Sequence, residues 1–145
     1  VHLVERFPAA FEWLQRNADA LDAGDRVQLH LADLGDAPTG LGRSVDVVVS
    51  NPPYVPADEY DLVEPEVRNH DPGEALWADD GGLAVIRRVA ERGLGLLRPG
   101  GTLVVEHSER HNRSVPELLR DAGYRDVTDH DDLTGRSRFS VGNAP

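Results

Sequence analysis

The run Val45-Asp46-Val47-Val48-Val49-Ser50, cut off by Asn51-Pro52-Pro53-Tyr54, constrains this chain more than any other feature. A short apolar run broken by a single Asp fits a strand buried in a parallel sheet. The Asn-Pro-Pro that follows ends it abruptly. Proline has no N–H to give to a sheet ladder, and each proline turns its predecessor away from helix.

The segments around this strand alternate. Val1 to Val4 reads as a short strand ending at Glu5, and Pro8 suits the first turn of a helix. Phe11, Leu14, Ala18 and Leu21 recur at helical spacing and predict one buried stripe, with Trp13 half-buried beside it and Gly24 as terminator. Arg26 to Leu31 reads as a strand followed by Asp33, and a loop containing Gly and Pro leads to Val45. Residues 58–80 read as a long loop with one helical turn, and a loop of that length is more often functional than idle. It holds nine acids and one base, Arg68, which suits either a solvated loop or a surface facing a partner.

A second helical stripe runs through Leu83, Ile86, Ala90, Leu94 and Leu97, and Arg98-Pro99-Gly100-Gly101 reads as a turn. Thr102 to Val105 reads as a strand ending at Glu106. Ser114 with Glu117 predicts a capping box for a helix through Val115, Leu118, Leu119 and Ala122, ended by Gly123. Tyr124 to Thr128 and Ser137 to Val141 predict an antiparallel hairpin at a sheet edge. Such alternation points to an α/β domain with a mostly parallel sheet and helices on both faces. Ligands of open sheets bind beyond the carboxyl ends of strands. Glu5, Asp33 and Asn51 stand at such ends.

Composition excludes several classes. No run reaches the roughly 18 apolar residues of a membrane helix, and the N-terminus lacks a secretory layout. With no cysteine, disulfides and thiolate metal sites are impossible. The six histidines show no metal spacing, and His107 and His111 fall across a strand end without carboxylate support; no metal site is expected. No Ser-His-Asp constellation is legible, and Ser108 between His107 and Glu109 reads as loop. Fifteen basic residues against 26 acidic ones give a net charge of −11, which opposes direct nucleic-acid binding. The expected protein is a cytoplasmic monomer.

Asn51-Pro52-Pro53-Tyr54 carries the chemistry. The Asn51 side-chain carbonyl and the Pro52 backbone carbonyl are two acceptors on a proline-stiffened backbone, suited to both hydrogens of a planar –NH₂ group. Tyr54 offers an aromatic wall for a flat amide or base. The alternative is a strand-terminating turn with a structural tyrosine. Trp77 reads as a loop anchor, with substrate contact as the alternative.

The segment Val47-Val48-Val49-Ser50-Asn51-Pro52-Pro53-Tyr54-Val55-Pro56 resembles amino-methyltransferases, and most of all the release factor glutamine N(5)-methyltransferases. The same resemblance extends through Glu66-Val67-Arg68, Asp71-Pro72, Glu74-Ala75-Leu76, Asp80-Gly81-Gly82-Leu83, Leu97-Arg98-Pro99-Gly100-Gly101 with Glu106, and Asp132-Leu133-Thr134-Gly135-Arg136. It implies a Rossmann-like class I methyltransferase sheet and S-adenosylmethionine as cofactor. The implied reaction methylates the glutamine amide of a Gly-Gly-Gln loop in a peptide chain release factor, the protein partner.

On that resemblance Asn51 and Pro52 are catalytic and, with Pro53 and Tyr54, bind substrate. Glu5 contacts the ribose, Asp33 the adenine amino group and Leu34 the adenine ring, and Asn51 is counted among the cofactor contacts. Two features of the family are missing from the chain: a small N-terminal helical domain, and a first strand with its glycine-rich loop. The chain has no methionine, even at position 1, and reads as residues 1–145 of one N-terminally truncated catalytic domain, inactive alone. A processed or edited N-terminus is the alternative explanation of that start. The rival functions are an adenine-N6 methyltransferase acting on DNA or RNA and an inactive methyltransferase fragment.

Overall fold

A computed structural model describes residues 1–36 and 38–145; residue 37, in the connection expected to be a Gly- and Pro-containing loop, lies outside the described residues. The chain divides into two compact units, Val1–Leu41 and Gly42–Pro145. In the first, β1 (His2–Glu5) and β2 (Gln28–Leu31) pair in parallel, with Glu5 opposite Leu31, and α1 (Pro8–Ala20) connects them. Pro8 occupies the first turn of α1 as expected.

The apolar stripe of α1 is less covered than its spacing suggests. No residue of the helix is fully buried, Leu21 is exposed, and Trp13 is 63% exposed with the Arg16 guanidinium over its ring. Gly24 is not the terminator either. The chain turns at Asp22, whose φ of +47° supplies the left-handed residue that ends a helix, and Gly24 opens a separate 3-10 turn that takes in Arg26. β2 accordingly starts two residues later than its sequence pattern implies.

The second unit is built on a four-stranded sheet in the order β3-β4-β6-β5. β3 (Val45–Ser50) and β4 (Leu97–Glu106) are parallel, while β6 (Ser137–Asn143) runs antiparallel between β4 and β5 (Arg125–Asp131). The expected hairpin therefore forms, with its second strand inserted inside the sheet. Arg98 to Gly101 loops out of β4: Leu97 pairs with Val45 but Thr102 pairs with Val47, so the turn read from sequence is a bulge within one strand. Gly101 is required there, because a Cβ would lie 2.9 Å from the Arg98 carbonyl and 3.0 Å from that of Val45.

Helices α4 (Ala84–Leu96) and α5 (Ser114–Asp121) supply the core. Ile86, Val89 and Ala90 from α4 and Val115, Leu118 and Leu119 from α5 are buried, as are Leu103 and Val105 of β4. The expected capping box does not form. Ser114 is already inside the helix, and its hydroxyl donates to the His111 carbonyl. Gly123, at φ +105°, follows α5, and Tyr124 turns back into the core, where its hydroxyl donates to the Ala90 carbonyl at 2.9 Å.

Residues 58–80 hold far more structure than one helical turn. A 3-10 segment (Ala57–Leu62), α2 (Pro65–His70) and α3 (Gly73–Leu76) follow one another. Prolines before or within each first turn explain this dense punctuation. The Tyr60 and Trp77 rings stack 5.5 Å apart, and the Arg68 guanidinium lies over Tyr60. Trp77 is thus a loop anchor. Among the described residues no helix is long and apolar enough to cross a membrane.

Candidate functional site

The Val45–Ser50 strand delivers Asn51 to the carboxyl end of the sheet, one residue past the pairing of Ser50 with Val105. Asn51 and Glu106 therefore leave adjacent parallel strands side by side. Asn51 is exposed, and its side chain has no hydrogen-bond partner among the described residues. Pro52 is buried, while Pro53 and Tyr54 are half-buried. The backbone that carries the two acceptors is held, and the Asn51 acceptor itself is free to meet a ligand.

Three segments remote in sequence clamp this turn. After Pro53, Val55 donates its N–H to the Leu76 carbonyl and accepts from Ala78, so the chain is tied to the end of α3. Gly82, at φ +90°, lies against the turn so closely that a Cβ would come within 2.3 Å of the Tyr54 carbonyl oxygen and 2.8 Å of His111 Cε1. His111 is buried and its Nε2 donates to the Gly81 carbonyl at 2.9 Å. The third contact is at the ring: Tyr54 Oη donates to Glu106 Oε1 at 3.1 Å. Burial first, and the Glu106 carboxylate second, raise the Tyr54 pKa above its ordinary value, while Arg138 opposes them.

Arg138 connects the site to the β5–β6 turn. Its Nε donates to Asp132 Oδ2 at 3.3 Å. Burial works against its charge, but the bond to Asp132 and the electrostatic influence of Tyr54 outweigh that and raise its pKa. Asp132 in turn accepts from the Thr134 hydroxyl at 2.6 Å and from the Thr134 and Arg136 N–H groups, which hold its carboxyl well below the usual carboxylate range.

In the first unit, Glu5 is the last residue of β1, and its Oε1 accepts from the Phe7 N–H at 2.7 Å. Its second oxygen has no partner among the described residues. Asp33 stands two residues beyond the end of β2; its Oδ1 accepts from Gly35 and Arg6 lies 3.8 Å from its Oδ2. Leu34 beside it is half-buried. Two carboxylates at the carboxyl ends of adjacent parallel strands, with an apolar side chain next to one, form an edge chemically suited to the hydroxyls and base of an adenosyl group.

A different polar cluster was not legible in sequence. His107 is fully buried, and its Nε2 lies 2.8 Å from Ser140 Oγ and 3.0 Å from Asp129 Oδ1, so carboxylate support exists after all. Its Nδ1 donates to the Ser108 carbonyl. Serine and carboxylate share one ring nitrogen, and Ser140 is itself fully buried, so the group ties β4 to the hairpin and cannot attack a substrate. Among the described residues no group of three His, Asp or Glu could hold a metal ion. Gly82, His111 and Arg138 were likewise missed as site residues. The pair Gly81-Gly82 was visible, but only the folded chain brings Gly82 against Tyr54.

No family model matches the chain. A release factor glutamine methyltransferase of Streptomyces coelicolor is 43% identical over 142 residues, 97% of this chain and 49% of the relative. One from Mycolicibacterium smegmatis is 42% identical, over 94% of this chain and 47% of the relative. A 4-amino-L-phenylalanine/4-methylamino-L-phenylalanine methyltransferase of Streptomyces pristinaespiralis is 40% identical over 83% of this chain and 39% of its own length. The solved structure of a methyltransferase from Pyrococcus furiosus superposes with a TM-score of 0.69 at 21% identity, covering 99% of this chain and 61% of that one, which fixes the fold as that of a class I methyltransferase. The chain spans about half the length of the curated relatives it matches, and over that span it is similar to release factor glutamine methyltransferases.

Proposed function

We propose that the protein carrying this chain transfers a methyl group from S-adenosylmethionine to the side-chain amide nitrogen of a glutamine in a peptide chain release factor. The observation that carries this reading is the unengaged Asn51 side chain, presented at a strand end on a backbone clamped at Pro52, Val55 and Tyr54. The curated relatives named for that activity support it.

An amide nitrogen is a weak nucleophile because its lone pair is delocalised. Asn51 Oδ1 and the Pro52 carbonyl accept its two N–H bonds, which raises electron density on nitrogen and fixes its direction of approach. Orientation of this kind contributes several kcal/mol to lowering a barrier, on the order of 7 or more when complete. The Tyr54 ring lies along the amide plane and excludes water. Glu5 accepts from the ribose hydroxyls, and Asp33 and Leu34 hold the adenine by a hydrogen bond and by packing. The cofactor, when bound, supplies an electrophilic methyl group. No side chain is assigned the departing proton, since the nitrogen becomes acidic once alkylated. We read residues 1–145 as part of one catalytic domain that works as a cytoplasmic monomer, where its translation-factor substrate resides.

The Streptomyces pristinaespiralis relative favours a second reading, in which the same acceptors hold an aromatic amine. Both are tested together. The full-length protein is given labelled S-adenosylmethionine with a release factor or with 4-amino-L-phenylalanine, and the product is located by mass spectrometry. Methylation of the release factor glutamine, lost on Asn51→Ala while cofactor affinity is kept, is the expected result. Label on the amino acid alone moves the assignment to the second reading, and full rate in Asn51→Ala removes Asn51 from the mechanism.

A further inference from the structure

We infer that Glu106 is a positioning residue for methyl transfer, acting through the hydroxyl of Tyr54; this rests on the amide-transfer reading above. Glu106 ends β4 beside the strand that delivers Asn51, and Oε1 accepts the Tyr54 hydroxyl proton at 3.1 Å. The bond spans 52 residues of sequence and joins the substrate-facing turn directly to the sheet.

A tyrosine held only by its ring can swing about χ1 and χ2. One held at its hydroxyl as well keeps a single rotamer, and the wall it offers to a planar amide stays fixed. The Arg138 guanidinium opposes the rise in the Tyr54 pKa, and its Nε donates to Asp132 in the β5–β6 turn at 3.3 Å. Tyr54 itself donates to Glu106. Neither Glu106 nor Arg138 is required to touch substrate in this arrangement.

Loss of the anchor is expected in the chemical step and not in cofactor binding, because Tyr54 faces the substrate amide. A hydrogen bond to a charged acceptor sets the scale at about a tenfold change in rate. Glu106→Ala should lower kcat about tenfold with an unchanged cofactor Kd. Glu106→Gln keeps an acceptor at the same place and should recover most of the rate. Tyr54→Phe should match Glu106→Ala, and adding Glu106→Ala to Tyr54→Phe should cost nothing more.

The test measures methyl transfer to the release factor by full-length wild type, the three single variants and the double variant. In parallel, the Tyr54 ring is followed by carbon-13 NMR in wild type and Glu106→Gln. Non-additive losses, with a Tyr54 signal that titrates at lower pH in Glu106→Gln, support the inference. Additive losses, a wild-type rate in Glu106→Ala or Tyr54→Phe, or an unmoved Tyr54 signal overturn it. If wild type transfers no methyl group, the reading of the site fails on its own. A Tyr54 titration that then still depends on Glu106 leaves only a structural bond, which overturns the positioning role.

Discussion

Gly81 and Gly82 are adjacent, both have positive φ, and they should respond very differently to alanine. Gly81 sits at φ +60° with nothing within 4 Å of a would-be Cβ, so Gly81→Ala meets only the left-handed backbone penalty, about 1–2 kcal/mol. Gly82 sits at φ +90°, and its Cβ would lie 2.3 Å from the Tyr54 carbonyl oxygen, 2.8 Å from His111 Cε1 and 3.1 Å from the Tyr54 carbonyl carbon. Two of those three atoms are backbone, in a turn stiffened by Pro52 and Pro53 and pinned at Val55, so they cannot swing aside as a flexible side chain would. Overpacking of this kind adds roughly 1–3 kcal/mol to the backbone penalty. The expected gap between the two variants is about 2 kcal/mol, read from urea midpoints at equal m. Relief of the clash must displace Tyr54, and a shift of about 1 Å near a reacting group costs on the order of 10²-fold in rate. Gly82→Ala should therefore lose activity far beyond its loss of stability, and Gly81→Ala should keep its rate. Equal destabilisation by the two changes, or normal turnover in Gly82→Ala, would refute the argument that the Tyr54 backbone is wedged against this glycine.

Glu5→Ala should weaken S-adenosylmethionine binding about tenfold or more through loss of charge-assisted hydrogen bonds, and an unchanged dissociation constant by calorimetry rejects the ribose assignment. Tyr124→Phe should destabilise by about 1 kcal/mol, because it deletes the hydroxyl that donates to the Ala90 carbonyl while leaving the ring in place; a neutral result by urea titration counts against that bond. The Asp132 carboxyl is held below its unfolded pKa, so its contribution to the β5–β6 turn is complete above about pH 4 and is lost as pH falls through the depressed value. Thr134 and Arg136 amide protection, taken relative to the intrinsic exchange rate at each pH, should fall only at strongly acid pH in wild type and be low already at neutral pH in Asp132→Ala.

The sequence made the strands and long helices legible because each has a local cause. Val45–Ser50 is an apolar run with a proline stop, and the periodicity of Ile86 and Ala90 depends only on residues within two turns. The misreadings share a different cause. Ser114 and Glu117 have the spacing of a capping box, yet the Ser114 hydroxyl is taken by the His111 carbonyl. Trp13 reads as half-buried on α1, but it is exposed and the cover over its ring is Arg16 from its own helix. His107 looked unsupported because its carboxylate, Asp129, comes from a strand 22 residues later. Residues 58–80 read as a loop with one helical turn because each helical piece there is too short to show a period.

The candidate site divides along the same line. Asn51, Pro52, Pro53 and Tyr54 are contiguous, so their chemistry can be read directly, down to the pairing of two acceptors with one –NH₂ group. What holds them still is scattered: Leu76 and Ala78 grip Val55, Gly82 meets the Tyr54 carbonyl, and Glu106 takes the Tyr54 hydroxyl. Each of those groups is unremarkable in its own neighbourhood. A strand end can carry a glutamate, and a turn can carry two glycines, without either pointing to a tetrapeptide tens of residues away. The physical need nevertheless predicts that such supports exist. A turn with two prolines cannot complete its own backbone hydrogen bonds, and an aromatic wall with a polar tip needs a partner for that tip once half-buried. The acceptor pair is a local property of the chain, and its rigidity belongs to the sheet and the segments folded against it.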